Sequence, residues 1–300
     1  MITTSSFGQT DSAPLAKLKD LGYRVVLNPH GRRLDEEEVS RLLQEHRPVG
    51  LVAGVEPLTS AVLEKAAPWL KVISRCGTGL ESVDLEAAEK LDIIVTNTPD
   101  ATTVPVAELT LGLMLAVLRG LHVSDRSIRE SRWERPMGSL LQGKTVGIIG
   151  CGRIGIYLAK SLLALGCRVL GYDPVIPGVK CIEFRELAVL LRESDLVTLH
   201  MPYSAANHHF INQKRIESMK KGAFLINASR GGLIDEEALY QALKNGHLAG
   251  AALDTFAQEP YRGPLKDLQN VLLTAHIGSY AREARVIMEA EAVDKLLDHL

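Results

Sequence analysis

Short apolar runs alternate with longer amphipathic stretches along nearly all of this 300-residue chain. Apolar runs of four to eight residues, bounded by Gly, Asp and Asn, are typical of parallel strands covered on both faces. Strands alternating with helices imply right-handed βαβ units and open, doubly wound sheets, an α/β fold. The predicted strands are Tyr23–Asn28, Val49–Ala53, Lys71–Ser74 and Ile93–Thr96, followed by Thr145–Gly150, Arg168–Asp173, Leu196–His200, Ala223–Asn227, Ala249–Leu253 and Val271–Thr274.

A long predicted helix near Pro105 separates the two series of strands. Because 300 residues exceed what one hydrophobic core usually serves, the chain is predicted to form two domains. The segment Ala107–Leu118 is apolar almost all round, with only Glu108 and Thr110 polar. Such a helix must be buried on more than one side, either inside the protein or between two subunits. A polar link is predicted to follow at Ser124–Lys144.

The composition excludes several classes of partner. A formal net charge of -2 gives no general attraction to nucleic acid or to an acidic membrane surface. No apolar run approaches the ~20 residues that span a bilayer. None of the four cysteines belongs to a CxxC pair, which indicates reduced thiols in the cytoplasm. We therefore expect a cytoplasmic protein whose partners are neither nucleic acid nor membrane.

The segment TVGIIGCGRIG predicts a dinucleotide site. A strand runs into Gly150-x-Gly152-x-x-Gly155, and a helix is predicted over Ile156–Leu165. The first glycine permits a tight turn, the second lets a pyrophosphate approach, and the third lets the helix pack on the strand. The next predicted strand ends in Asp173, 18 residues after Gly155 (173 − 155). A carboxylate there binds the ribose and repels a 2′-phosphate, which favours NAD over NADP.

Three more ionisable residues lie just past predicted strands, where open α/β sheets bind ligands. Arg230 follows Ala223–Asn227, and Glu259 lies beyond Ala249–Leu253. His276 follows the last predicted strand. Each has an ordinary structural explanation by itself: a surface cation, a turn residue before proline, one of nine histidines. Their placement after successive strands of a sheet that already carries a dinucleotide motif favours a catalytic set.

With these motifs, the chain resembles the D-2-hydroxyacid dehydrogenase family, particularly its phosphoglycerate dehydrogenase branch. The resemblance covers nearly the whole length, and ordered Arg, Glu and His motifs around a mid-chain GxGxxG are highly specific to this family. The segments that carry it, besides the glycine motif and Asp173, are KVISRCGTGLESVDLEAA, VTNTPD, VAELTLGLML, SRWER, INASRGGLIDEEAL, AGAALDTFAQEP and TAHIGS.

The resemblance implies two doubly wound parallel-sheet domains, with a Rossmann-type cofactor domain inserted in a flavodoxin-like substrate domain. Residues 1–99 and 278–300 would form the substrate domain, and residues 100–277 the NAD-binding domain. The family also implies a cleft between them that closes by a hinge. It implies a homodimer built on the Pro105 helix region, which favours the interface interpretation of that helix.

Catalytic roles carried over from the family make chemical sense. His276 would take the substrate hydroxyl proton during oxidation and return it to the carbonyl oxygen during reduction. Glu259 would hold the imidazole in its useful tautomer and favour its protonated form. Arg230 would clamp the substrate carboxylate and polarise the reacting oxygen.

The resemblance also implies the binding residues. Asp254 would bind the nicotinamide carboxamide, and backbone N–H groups around Gly77 and Gly79 would cradle the substrate carboxylate with Arg75 and Arg230 nearby. No metal site is predicted. The residues expected to bind NAD are Thr78, Gly150, Gly152, Arg153, Ile154, Gly155, Asp173, Met201, Ala228 and Asp254, and Thr78 would also line the substrate site.

The sequence departs from the family pattern at two positions. Ala281 stands where many relatives have threonine. Gly54 stands where the phosphoglycerate branch is expected to have an arginine, and Glu56 adds a negative charge nearby. Arg75, the other arginine of that branch, is present. We therefore expect a small 2-hydroxy or 2-oxo acid substrate for which 3-phosphoglycerate is not the uniquely preferred choice.

Two other functions are open on the same fold. A dinucleotide-sensing protein like the family's corepressors would bind NADH without turning over 2-oxo acids. A formate- or phosphite-oxidising enzyme is the second alternative, and Glu259 argues against the formate enzymes, which depart from the Arg–Glu–His pattern at that position. A panel assay of hydroxy and oxo acids with NAD(H) separates these alternatives.

Overall fold

The computed structural model describes residues 1–176 and 178–300 and contains two compact units. The first unit comprises Met1–Thr102 and Ser279–Leu300, and the second comprises Thr103–Gly278. Each contains one parallel sheet, as the α/β prediction requires. Among the described residues no single helix is long and apolar enough to cross a bilayer; two consecutive helices meet that test only jointly, across a 66° bend.

The first unit is built on a three-stranded parallel sheet in the order β1-β2-β3. Leu51, Val52 and Ile73 are fully buried within it, as expected for strands covered by helices on both faces. Its strands are β1 (Gly50–Ala53), β2 (Val72–Arg75) and β3 (Ile94–Asn97), and its helices are α1 (Ala13–Asp20), α2 (Glu36–His46), α3 (Ser60–Ala66), α4 (Leu85–Lys90) and α11 (Arg282–Leu297).

The strand predicted at Tyr23–Asn28 is wrong. In the structure this segment forms only one bridge, between Leu27 and Ile2, and Ile2 also bridges to Val52. Because a single residue provides the pairing, no ladder forms despite the apolar sequence. The start of α2 follows local rules closely: the Asp35 side chain accepts from the Glu38 N–H and the Glu38 side chain accepts from the Asp35 N–H.

The second unit is built on a seven-stranded, entirely parallel sheet in the order β10-β9-β8-β7-β4-β5-β6. The strand order reverses on either side of β4, which pairs with both β5 and β7. Its strands are β4 (Thr145–Ile149), β5 (Arg168–Tyr172), β6 (Glu183–Phe184), β7 (Leu196–Leu199), β8 (Ala223–Asn227), β9 (Leu248–Leu253) and β10 (Val271–Leu273).

The helices of the second unit pack on both faces of this sheet, and the buried apolar side chains form two clusters. The polar link predicted at Ser124–Lys144 is wrong in its first part, because Leu121–Arg129 forms a helix. From 130 to 140 every residue is exposed and none belongs to a helix or strand. The helices are α5 (Thr103–Arg119), α6 (Leu121–Arg129), α7 (Arg153–Ala164), α8 (Leu187–Glu193), α9 (Gln213–Glu217) and α10 (Glu236–Lys244).

The helix near Pro105, α5, is not fully internal. Its buried face includes Val106, Leu113 and Met114 and packs within the second unit. On its other face Val104 and Leu115 are exposed, by 42% and 39%. The structure therefore contradicts the interpretation of α5 as an internal helix and leaves an apolar face open on the unit's surface.

Candidate active site

The turn between β4 and α7 carries the three motif glycines. Gly150 has a φ of +95°, and a Cβ there would lie 2.5 Å from the His200 carbonyl carbon. A Cβ on Gly155 would lie 2.3 Å from the Gly150 carbonyl oxygen, so α7 packs against the turn only without one. Gly152 has open space at the Cβ position and precedes α7, which has no side-chain cap. The turn fits a pyrophosphate approaching exposed N–H groups.

Asp173 follows β5, and three backbone N–H groups hold its carboxylate. Oδ2 accepts from Cys151 at 2.8 Å, and Oδ1 accepts from Val175 at 2.9 Å and Ile176 at 3.0 Å. Partial burial raises the pKa of Asp173, but these three bonds outweigh it and hold its pKa below the ordinary 3.8. The side chain is therefore a fixed anion beside the glycine turn, which suits a ribose hydroxyl and repels a 2′-phosphate.

The loops after β7 and β8 meet the glycine turn at the same sheet edge. The Met201 carbonyl accepts from Ser229 Oγ at 2.6 Å, and the Met201 backbone also limits the space beside Gly150. This edge is the point of strand reversal, where open α/β sheets bind ligands. Four residues predicted to line the cofactor lie on these loops or in the first turn of α7: Arg153, Ile154, Met201 and Ala228.

His276 and Glu259 form a direct hydrogen bond between the loops that follow β10 and β9. Nδ1 of His276 lies 2.9 Å from Oε2 of Glu259, and Oε1 of Glu259 accepts the Phe256 N–H. Their side chains are 46% and 36% exposed. Because Glu259 engages Nδ1, Nε2 of His276 is the ring nitrogen left for a substrate proton.

Arg230 lies close enough to this pair to act on Glu259. Partial burial raises the pKa of Glu259, but the hydrogen bond and charge of His276, a backbone N–H bond and the positive charge of Arg230 lower it below the ordinary 4.5. Asn227 Nδ2 donates to the Arg230 carbonyl at 2.9 Å, which fixes the loop after β8. The three residues predicted to be catalytic are therefore gathered in the second unit.

Asp254 holds the loop that carries His276. Its side chain is fully buried; Oδ1 accepts from Thr274 Oγ1 at 2.6 Å and from the Ile277 N–H at 2.8 Å, and Oδ2 accepts from the Gly278 N–H at 2.8 Å. The Asp254 carbonyl also accepts the N–H of His276, a residue in the left-handed region with a φ of 53°. These bonds give Asp254 a positioning role beside the predicted contact with nicotinamide.

The remaining predicted substrate residues lie in the first unit, at the end of β2 and in the turn after it. Gly77 has a φ of +138°, and a Cβ there would lie 1.3 Å from Nη1 of Arg75, which crosses the turn. The Gly77 N–H already donates to Thr98 Oγ1 at 2.7 Å. The predicted carboxylate cradle is therefore narrower than expected, with the N–H groups of Thr78 and Gly79 as its candidate donors.

Two residues of the site were missed from the sequence. Thr274 binds Asp254 and lies two residues before His276, a spacing visible in the sequence but without meaning until the loop is folded. His200 ends the strand region of β7, beside Gly150, and burial lowers its pKa to about 4, so it is neutral at physiological pH. The sequence contains no signal for that burial except the apolar run before it.

A parallel sheet with a glycine turn at its reversal point and a fixed aspartate after the next strand defines a Rossmann-type dinucleotide-binding domain. The model of the family described as D-isomer specific 2-hydroxyacid dehydrogenase, NAD binding domain, matches residues 111–278. The chain therefore belongs to the D-isomer specific 2-hydroxyacid dehydrogenase family, and its second unit contains the NAD-binding domain. This confirms the predicted family and cofactor.

Relatives of the chain differ in the substrates that their names state. The chain is 41% identical over 277 residues to D-3-phosphoglycerate dehydrogenase of Methanocaldococcus jannaschii, covering 88% of this chain and 52% of the relative. It is 39% identical to hydroxypyruvate reductase of Thermotoga maritima, covering 89% of each. It is 44% identical to glyoxylate reductase of Thermofilum pendens, and the match covers 77% of this chain and 72% of that relative. The chain thus spans about half the length of the phosphoglycerate dehydrogenase that it matches.

Solved structures share the whole fold. The TT0316 protein from Thermus thermophilus superposes with a TM-score of 0.91 at 38% identity, covering 99% of this chain and 95% of that one. The chain also superposes with a TM-score of 0.85, at 30% identity, on D-lactate dehydrogenase from Aquifex aeolicus, a structure complexed with NAD and lactic acid. The match covers 99% of this chain and 94% of that one. Both likenesses agree with the predicted fold class.

Proposed function

We propose that this protein is an NAD-dependent oxidoreductase that moves a hydride between nicotinamide and C2 of a small D-2-hydroxy acid or 2-oxo acid. The observation that carries the proposal is the 2.9 Å bond between His276 and Glu259, with Arg230 beside it, in the unit that holds the glycine turn. The His276 side chain is 46% exposed, so it is accessible to a substrate.

The proton chemistry belongs to His276. In reduction, protonated His276 donates from Nε2 to the substrate carbonyl oxygen, and in oxidation the neutral ring takes the hydroxyl proton back. Glu259 stays ionised at neutral pH because its pKa is lowered, so it stabilises the positive ring at the moment the ring carries the proton. NAD, when bound, supplies or accepts the hydride.

Arg230 supplies the anion-binding part of the site. A guanidinium offers a planar fork of donors that matches a carboxylate, which orients C2 and polarises the reacting oxygen. In the first unit, the N–H groups of Thr78 and Gly79, with Arg75, are the further proposed contacts of the substrate carboxylate. Asp254 and the glycine turn are the proposed contacts of the cofactor.

The proposed substrate class is unphosphorylated 2-oxo acids of two or three carbons. Gly54 supplies no side chain where the arginine is expected, and the space beside its Cα is taken by a carboxylate, since a Cβ there would lie 2.8 Å from Oε2 of Glu56. Glu56 is buried, with 1% exposed, and Oε1 accepts from the Thr3 hydroxyl and from the Gly54 N–H at 3.0 Å. A missing bidentate partner for a phosphate costs roughly ten- to a hundredfold in affinity.

We further propose that the protein is a cytoplasmic homodimer. Large apolar side chains are exposed in the segment after α6: Trp133 by 82%, Met137 by 98% and Leu140 by 67%. Contiguous exposed apolar residues mark an interface, and a second copy with the same surface can bury them symmetrically. Cysteines that are all free thiols agree with a reducing compartment.

The test is NAD(H)-coupled turnover with a panel of acids. NADH oxidation is measured with glyoxylate, hydroxypyruvate, pyruvate and 3-phosphohydroxypyruvate, and NAD reduction with D-glycerate, D-lactate, 3-phosphoglycerate, formate and phosphite. We expect turnover of unphosphorylated 2-oxo acids and no preference for 3-phosphoglycerate over D-glycerate and D-lactate. A preference for 3-phosphoglycerate of a hundredfold or more over every other acid contradicts the proposed substrate class. NADH binding without turnover favours a dinucleotide sensor, and activity confined to formate or phosphite favours that branch.

A further inference from the structure

An ion pair on α11 lies at the carboxyl edge of the first unit's sheet and has no part in the proposed proton chemistry. Arg285 Nη2 lies 2.6 Å from Oε1 of Glu289, one helical turn further on. The same Nη2 lies 3.1 Å from Ser6 Oγ, and Oε2 of Glu289 accepts the Gly8 N–H at 2.8 Å. Glu289 is 1% exposed and Arg285 13% exposed, so Arg285 is the member that a small molecule can reach.

The guanidinium of Arg285 contacts the turn that carries the proposed carboxylate cradle. Its Nη1 lies 4.0 Å from Sγ of Cys76, the residue immediately before Gly77. The Cys76 N–H donates to the Ala53 carbonyl, so the Gly54 loop and the cradle are adjacent at this edge. Arg285 is therefore a cation at the sheet edge where the expected arginine is replaced by Gly54.

The two amino groups of Arg285 are used unequally. Nη2 donates to oxygen acceptors, whereas the hydrogen-bond partners of Nη1 among the described residues are two sulfur atoms, Cys76 Sγ at 4.0 Å and Met288 Sδ at 3.9 Å. The guanidinium carbon also lies 5.8 Å from the centroid of the Tyr280 ring. Sulfur is a weak hydrogen-bond acceptor. Nη1 therefore keeps donor capacity for a stronger acceptor while Nη2 holds the ion pair.

The charge of Arg285 is balanced before any ligand arrives. Glu289 is buried and bonded, so the pair is neutral as a unit and offers donors without excess positive charge. A hydroxyl needs only such a donor, whereas a phosphate with nearly two negative charges needs cations that no carboxylate neutralises. Beside the Gly54 loop, the buried side chain of Glu56 adds a second carboxylate rather than a second cationic group.

We propose that Arg285 and Glu289 determine the substrate class: Nη1 of Arg285 donates to the hydroxyl on C3 of a three-carbon 2-oxo acid, and Glu289 prevents the same arginine from holding a phosphate there. This rests on the proposed 2-oxo acid reductase function. Hydroxypyruvate has a C3 hydroxyl that accepts from Arg285, whereas glyoxylate has no C3. The pair disfavours 3-phosphohydroxypyruvate, because Glu289 neutralises the charge that its phosphate needs.

The test measures kcat/KM for these three acids with NADH in the whole 300-residue chain. Arg285→Gln is expected to lower the hydroxypyruvate-to-glyoxylate ratio roughly tenfold or more, because a charge-assisted hydrogen bond is lost. Glu289→Gln is expected to raise the 3-phosphohydroxypyruvate-to-hydroxypyruvate ratio about tenfold, because it frees the arginine charge while keeping the side-chain shape. Glu291→Gln is the matched control: it removes another i,i+4 pair on α11, with Lys295 at 2.7 Å, and both ratios should stay at wild-type values.

Thermal unfolding of each variant shows whether it folds. If Glu289→Gln does not fold, Arg285→Lys alone tests the proposal, because lysine keeps the positive charge but lacks the two amino groups of the guanidinium. A fall in the hydroxypyruvate-to-glyoxylate ratio of kcat/KM in this variant supports the proposal. Unchanged ratios in folded variants of an active enzyme overturn the role of the pair and leave the proposed function standing. A wild-type protein that reduces none of the acids overturns both.

Discussion

Nδ1 of His276 lies 2.9 Å from Oε2 of Glu259, and this contact joins the loops after the last two strands of the cofactor-binding sheet. It fixes the ring while the left-handed backbone of His276 is fixed separately by Asp254. An imidazole held by both its side chain and its backbone is preorganised for the proposed proton transfer, since little reorientation remains to be done.

Replacing His276 should separate chemistry from cofactor binding. His276→Ala is expected to lose about 10²–10⁴-fold in kcat, because general acid–base catalysis is typically of that size. NADH affinity, measured by fluorescence titration, should change little. His299→Ala, at an exposed histidine of the first unit, is the control. Full turnover by His276→Ala would remove the imidazole from the mechanism.

The bond to Glu259 should appear in the pH dependence of stability. Because the folded-state pKa of Glu259 is lowered, its stabilising contribution is complete above about pH 4.5 and is lost as pH falls through the lower folded value. For a side chain more than a third exposed, the contribution is about 1 kcal/mol or less.

The measurement is the free energy of urea unfolding of wild type and Glu259→Gln between about pH 3 and 7. The two curves should differ above about pH 4.5 and converge below it. Glu186→Gln, at an exposed glutamate of the same unit, is the control and should run parallel to wild type. If the difference in unfolding free energy between wild type and Glu259→Gln instead grows as the pH falls, the pKa of Glu259 is not lowered by folding.

Asp173 should set the cofactor preference. Its fixed carboxylate repels a 2′-phosphate, so kcat/KM is expected to be at least about tenfold higher with NADH than with NADPH. Asp173→Ala should lower the NADH-to-NADPH ratio of kcat/KM. Asp267→Ala, at an aspartate that is 68% exposed, is the control and should not change this ratio. Equal use of both cofactors by the wild type would show that the carboxylate does not discriminate.

Asp254 should act on the catalytic loop through structure. Asp254→Asn replaces one accepting oxygen by a donor, which leaves a buried N–H or hydroxyl unsatisfied at a cost of about 1–3 kcal/mol. We expect a lower unfolding temperature together with a lower kcat, and neither effect in Asp267→Asn. Wild-type stability with weakened NADH binding alone would instead assign Asp254 to the nicotinamide carboxamide.

Local features of the glycine turn were predictable because they are short-range. The need for glycine at Gly150 and Gly155 follows from a strand that turns directly into a helix, and both contacts are present. The pairing of His276 with Glu259 is long-range, and only family resemblance indicated it. The Arg285–Glu289 spacing is visible in the sequence, but the burial of Glu289 depends on Gly8, 281 residues away.

The errors have equally physical causes. Tyr23–Asn28 has the composition of a strand, but its one β-bridge is with Ile2. A high strand propensity without a partner strand forms no ladder. Most of α6 falls in the polar link that the sequence predicts, because the helix is rich in Ser, Asp and Arg. Its few apolar residues, among them Leu121 and Ile128, are exposed by 56% and 51%, so no buried stripe marks it in this chain.

Those exposed apolar residues lead to the prediction about assembly. Leu121 and Ile128 on α6, with Trp133 and Met137 in the following segment, are large apolar side chains exposed on one stretch of chain. The segment is anchored to α5, since the Ser139 N–H donates to the Leu118 carbonyl at 2.9 Å. An anchored segment presents its side chains to a second copy at little ordering cost.

Trp133 should dominate that contact, because buried Trp residues are common hot spots worth about 2 kcal/mol or more. Trp133→Ser is expected to weaken the dimer at least about thirtyfold, which sedimentation or light scattering across micromolar concentrations would detect. Leu21→Ser, at a leucine 58% exposed in the first unit, is the control and should remain dimeric. A monomeric wild type at all concentrations, or a Trp133→Ser variant that dimerises as the wild type does, places the subunit contact elsewhere or removes it, and the exposed face of α5 then needs another partner.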